Sequence, residues 1–108
     1  MRLPLRYHFM LDERLGIRLP SLRLEWEEYT SSERDDILLA WEEIRATIPD
    51  QILRVETVII DKTKQMSEEE NFEVSCQLNS EIHELASVIN DLNIWFRVQQ
   101  DHETKMHQ

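Results

Sequence analysis

At 108 residues, with 41% hydrophobic and 31% charged side chains, the chain suits one folded domain and is too apolar for wholesale disorder. One glycine and three prolines are too few for the turns of a sandwich or barrel, and the lone Gly16 excludes a glycine-rich phosphate cradle. The net charge of −10 is uneven: residues 1–24 hold Arg2, Arg6, Arg14, Arg18 and Arg23 against Asp12 and Glu13, net +3, leaving −13 for the rest.

The N-terminal segment alternates. Leu3, Leu5, Tyr7, Phe9 and Leu11 fall on one side, and Arg2, Pro4, Arg6, His8 and Met10 on the other. Period two is the signature of a strand. The polar stretch Asp12 to Gly16 reads as a turn, after which Ile17 and Leu19 resume the alternation before Pro20. Residues 1–20 are therefore expected to form a basic β-hairpin arm with proline-marked edges, packed on helices because an isolated hairpin is marginal. Residues 21–29 are ambiguous between a short helix capped by Ser21 and a strand carried on by Leu22, Leu24 and Trp26, with helix favoured.

Ser32 with Asp35 resembles a capping box, and Ile37, Trp41, Ile44 and Ile48 recur at helical spacing, which predicts a first helix over 32–48. Pro49 ends or kinks it and fits the first turn of a second helix over 49–65, with Thr47 as cap and Ile52, Val55, Ile59 and Met66 on its buried face. Ser67 before Glu68, Glu69 and Glu70 reads as a further capping box, opening a third helix over 68–104. Those 37 residues would span about 55 Å, roughly twice the second helix. The distal half must then pack on the first helix, on the arm, or on another chain. Its apolar positions Leu78, Ile82, Leu85, Ile89, Leu92 and Phe96 are spaced as in a heptad repeat, widened by Val74, Val88 and Trp95. Ile94 and Val98 then make the end apolar nearly all round, which implies burial on every side. The expected fold class is mainly α: an αα-hairpin with a long C-terminal helix, one further helix, and a short N-terminal β-hairpin packed on the helices, within a single domain over 1–108.

The stretch Phe72 to Leu85 reads F-E-V-S-C-Q-L-N-S-E-I-H-E-L. It resembles the UVR motif, the short helical hairpin found in UvrB, UvrC and some Clp-type ATPases and their partners, whose pattern is close to F-E-x-A-A-x-L-R-D-x-I-x-x-L. Phe72 and Glu73 match the opening, Ser75 and Cys76 the two small positions, and Leu78, Ile82 and Leu85 the apolar ones. Asn79 and Ser80 replace the family's Arg-Asp. The resemblance covers about residues 53–88, and implies a protein-interaction module without an active site. In that module Phe72 would plug the hairpin turn, and the small residues would let the partner helix approach.

Other constellations carry less. Glutamates pair at i, i+3 in Glu25/Glu28, Glu70/Glu73 and Glu81/Glu84, but the one E-x-x-D, Glu33–Asp36, follows Glu28 too closely to form a facing helix as a small all-α metal-dependent hydrolase would need. Solvated acidic faces are the better account. His8, His83, His102 and His107 lack ligand spacing, and Cys76 has no nearby catalytic histidine pattern and falls where a small core residue fits. No catalytic, metal or cofactor site is expected. The arginine arm invites a nucleic-acid reading, which the acidic remainder disfavours. A single cysteine allows no internal disulfide, no run approaches a bilayer span, and the first residues lack an apolar signal core, so the expected setting is cytoplasmic, without membrane. The favoured function is a non-enzymatic adaptor that binds a protein partner or a second copy of itself. Its expected surface is Leu85, Ile89, Leu92, Ile94, Trp95, Phe96 and Val98, with Trp95 and Phe96 as aromatic anchors.

Overall fold

A computed structural model describes residues 6–98. Strand β1 (Tyr7–Asp12) pairs antiparallel with β2 (Ile17–Leu22), and one 3-10 turn (Trp26–Glu28) leads to helices α1 (Ser31–Arg45), α2 (Ile48–Glu68) and α3 (Phe72–Phe96). The mainly helical class with an N-terminal β-hairpin is as expected, although Arg2, Leu3, Pro4 and Leu5 lie outside the described residues.

The hairpin turns through residues 13–16. Gly16 adopts φ 73° and donates its N–H to the Asp12 carbonyl at 2.8 Å, a left-handed position open to glycine at no steric cost. The Asp12 carboxylate accepts from the Leu15 N–H at 2.9 Å. This turn is not a solvent loop: Leu15 is only 3% exposed and belongs to the core. The alternation of β1 holds for Tyr7 and Phe9, which are half-buried, and fails at Leu11, which is 61% exposed opposite Arg18.

Pro20 is accommodated inside β2, opposite Phe9, and the strand continues to Leu22, so the helix favoured for 21–29 shrinks to the single 3-10 turn. Tyr29 explains why. Its buried hydroxyl accepts from the N–H groups of Arg23 and Leu24 at 3.0 and 3.2 Å and donates to the Arg6 carbonyl at 2.9 Å. Continued by one step, the strand register would set Arg6 opposite Arg23. The phenol thus stands in for the next rung of the ladder.

Helix α1 is capped two residues before the expected position. Thr30 and Glu33 form the full reciprocal box, Glu33 N–H to Thr30 Oγ1 at 3.1 Å and Thr30 N–H to Glu33 Oε1 at 2.9 Å. The helix stops at Arg45, because Thr47 turns both its N–H and its hydroxyl back to the Ile44 carbonyl. Ile48 therefore opens α2 rather than closing α1, with Pro49 in the first turn as expected.

The second break also shifts. Ser67 donates its hydroxyl back to the Lys64 carbonyl at 2.8 Å and stays inside α2, which runs to Glu68. Asn71 supplies the forward cap, its Oδ1 accepting from the N–H groups of Glu73 and Val74. So α3 starts at Phe72, four residues later than expected, and runs to Phe96; of the extent expected to 104, residues 99–104 lie outside the described residues.

One core joins the elements. Leu15, Ile17, Trp41, Ile44, Ile48, Val55, Val88 and Leu92 form it, with Ile48 and Leu92 fully buried. It sits where α1 and the hairpin meet the start of α2 and the end of α3. Beyond this head, α2 and α3 pack on each other alone among the described elements, as an arm within a molecule 61 Å long and 20 Å across its thinnest axis.

Candidate interaction surfaces

The apolar end of α3 is covered on one side by its own chain. Trp95 meets Trp41 edge-on at 5.7 Å between ring centroids, and the Arg45 guanidinium lies 4.6 Å over the Phe96 ring. Edge-to-face rings and a cation over an aromatic face are each favourable beyond the area they bury. Leu92 has no exposed surface, while Leu85, Ile89, Trp95 and Phe96 are half-buried against the core. Of the surface expected from sequence, only Ile94 at 49% and Val98 at 36% stand well out into solvent. One side of this end is thus buried under α1 and the hairpin, and the burial expected on every side fails at Ile94 and Val98.

The hairpin turn locks that arrangement. Arg14 reaches α3 with its whole guanidinium: Nε to Glu84 at 2.8 Å, one Nη to Asp91 at 2.7 Å and the other to Ser87 Oγ at 2.9 Å. On the other helix, Gln51 Nε2 donates to the Leu15 carbonyl at 3.1 Å. One four-residue turn therefore bridges α2 and α3. Arg6 is likewise engaged, its Nε 3.0 Å from Glu33 and one Nη also on that carboxylate. This pair and the Thr30 N–H hold Glu33 down to a pKa of about 2.

The arm of cations is thus partly consumed by the protein itself. Arg6 and Arg14 pair with own-chain carboxylates, Arg18 and Arg23 are exposed, and Arg2 lies outside the described residues. The glutamate pair Glu81/Glu84 is spent in the same way. Glu84 takes Arg14, and Glu81 takes Lys62 at 2.9 Å, which lowers its pKa below the usual carboxylate range. Among the described residues no three of His, Cys, Asp and Glu are placed to hold a metal ion. His102 and His107 lie outside them.

On the arm, the residues matched to the UVR pattern divide. Leu78 is buried, and Ser75 and Ile82 are half-buried. Phe72 is 80% exposed at the tip and plugs nothing, and Cys76 is exposed rather than interior. Helical geometry gives the reason, because Cys76 lies about 200° round the helix from Leu78. Further apolar side chains stand out along the arm: Ile60 at 70%, Val58 at 43% and Val74 at 40%.

An apolar cavity of about 140 Å³ opens in the head between Pro20, Leu22, Trp26, Ile37, Leu38, Trp41 and Val98. The Trp41 indole N–H, buried nearby, meets no acceptor among the described residues. Gln51, Tyr29, Leu15 and Arg45 were not singled out from sequence. Only Leu15 had a local signal, in that Asp12 and Gly16 bracket three residues of which one is apolar. No family model matches the chain, and neither a curated protein nor a solved structure does.

Proposed function

We propose that this protein is a non-enzymatic interaction module, in which the head braces the α2–α3 arm and the arm docks a protein partner. The observation that carries this reading is the set of apolar side chains left in solvent along the arm. Ile60 and Phe72 are 70% and 80% exposed, although the same two helices bury Val55 and Leu78 between them. Large exposed apolar side chains on a rigid, doubly helical support suit hydrophobic docking. The UVR resemblance supports the same class, since that motif is itself a helical hairpin that engages proteins. The partner belongs on the arm, and the apolar stripe of α3 is its internal support. An intracellular setting is part of the proposal.

The test compares the wild-type protein with Ile60→Glu/Phe72→Glu, both substitutions being at exposed sites. A specific partner recovered from native extract by the wild type, and re-bound by it when purified, should lose at least about tenfold in affinity with the double variant. Equal retention by both forms overturns the arm as the docking element. Titration calorimetry with Mg²⁺ and Mn²⁺ addresses the hydrolase alternative, and a low-salt gel shift the nucleic-acid one. Neither binding event is expected.

A further inference from the structure

The β-hairpin has two edges, and they differ. Strand β2 lies against α1 and contains Pro20, which has no N–H to offer. Strand β1 has no proline and no lysine, and among the described residues nothing pairs with its outer side. Such an edge is a template for another strand.

The register says which groups that edge presents. Because Pro20 cannot donate, its pairing with Phe9 occupies a non-hydrogen-bonded site of the ladder. Alternation then turns the N–H and C=O groups of Tyr7, Phe9 and Leu11 outward, and those of His8, Met10 and Asp12 toward β2. The Tyr29 hydroxyl agrees with this parity, since it meets the Arg6 carbonyl on the β2 side.

We propose that the outer edge of β1 pairs with the same edge of a second copy, antiparallel about a two-fold axis at Phe9, giving a four-stranded sheet. In that register Phe9 faces its own copy and Tyr7 faces Leu11, so outward-pointing groups meet outward-pointing groups throughout. His8 faces Met10, and Arg6 faces Asp12. The pairing covers Met10 and Leu11, which stand 59% and 61% exposed in the single chain. It also sets opposite charges across from one another at both ends, a favourable cross-strand pair. Both groups have capacity left: Arg6 uses Nε and one Nη on Glu33, and Asp12 uses Oδ1 on the Leu15 N–H. A slip by two residues places Arg6 opposite Arg14 in one direction and opposite Met10 in the other. Only the Phe9-centred register is self-complementary. Six residues of edge pairing form a small interface, so the dimer is one of about micromolar affinity.

Sedimentation of the full chain at about 100 μM should give twice the monomer mass. Leu11→Pro removes one outward N–H without touching the β1–β2 ladder, and should raise the dissociation constant at least about tenfold with an unchanged near-ultraviolet spectrum. Should that variant fail to fold, cysteine pairing decides. In a Cys76→Ser background, an equimolar mixture of His8→Cys and Met10→Cys chains should cross-link under oxidised glutathione far more than either alone. A monomer at that concentration, a folded Leu11→Pro that still dimerises fully, or cross-linking without the His8–Met10 preference overturns the proposal. Ile60→Glu/Phe72→Glu should leave the dimer intact, which separates this edge from the arm.

Discussion

The head and the arm are built from the same two helices, yet they are held by different physics. In the arm, α2 and α3 meet along one seam, with Leu78 at 8% exposure as its most buried residue and one lysine–glutamate bridge across it. In the head, the same helices are enclosed by α1 and the hairpin, Ile48 and Leu92 reach 0% exposure, and Arg14 and Gln51 tie the turn to both. A third layer converts a helical pair into a closed core, and the hairpin turn does its part across 36 to 77 residues of sequence.

This contrast can be broken most forcefully in the head. Leu92→Ala leaves a cavity that the surrounding layers cannot collapse, and should cost about 2–5 kcal/mol by urea denaturation, whereas Ile60→Ala on the arm should stay within about 0.5 kcal/mol. Tyr29→Phe removes a hydroxyl that serves three buried or half-buried backbone groups, and a loss of about 1–3 kcal/mol is expected in the same assay. Gly16→Ala forces a side chain into a left-handed position and toward Gln51 Nε2, which would stand 2.3 Å from the new Cβ. About 1–2 kcal/mol should be lost, and a Gln51→Ala background should recover only the steric part. Lys62→Ala in the arm breaks an ion pair that is partly in solvent, so about 0–1 kcal/mol is the expected change.

The smallest effect is one of pH. The Glu33 carboxyl is held down to about 2 by Arg6 and Thr30, against an ordinary value of 4.5. Its contribution is therefore complete above pH 4.5 and disappears as pH falls from there toward 2. A Glu33→Gln variant should lose the matching part of the acid dependence in denaturation midpoints between those limits, and keep the rest.

The elements of the fold were legible because local chemistry dictates them. The helical stripes through Trp41, Val55 and Leu78 and the alternation of Tyr7 and Phe9 are periodic in sequence, and they fold as their period requires. Boundaries were harder, since several hydroxyls compete for each helix end. Thr30 defeats Ser32 because Glu33 can answer it, and Asn71 defeats Ser67 because Ser67 bonds backward. What covers α3 was not legible. The apolar circumference around Trp95 calls for cover by the first helix, the hairpin or another chain, but nothing local says that the layer is Trp41, Arg45 and the turn at Leu15, or that Ile94 and Val98 stay exposed. For the same reason the exposed residues of the candidate surface came out largely different from those expected. Distance in sequence hides the contacts that decide which apolar residues remain free.

The Arg14 clamp has a consequence for the order of events as the chain is made. Its acceptors stand 70 to 77 residues downstream, and Trp95, which covers Trp41, lies beyond all of them in the chain. The arm can zip from its Glu69–Asn71 turn through neighbours in sequence, the kind of closure that forms fast. The head must wait until the last turns of α3 have left the ribosome. Until then Leu15, Trp41 and Ile48 have no lid, and the free strand edge is beside them. The nascent chain is therefore at its most vulnerable to mispairing just before α3 is complete.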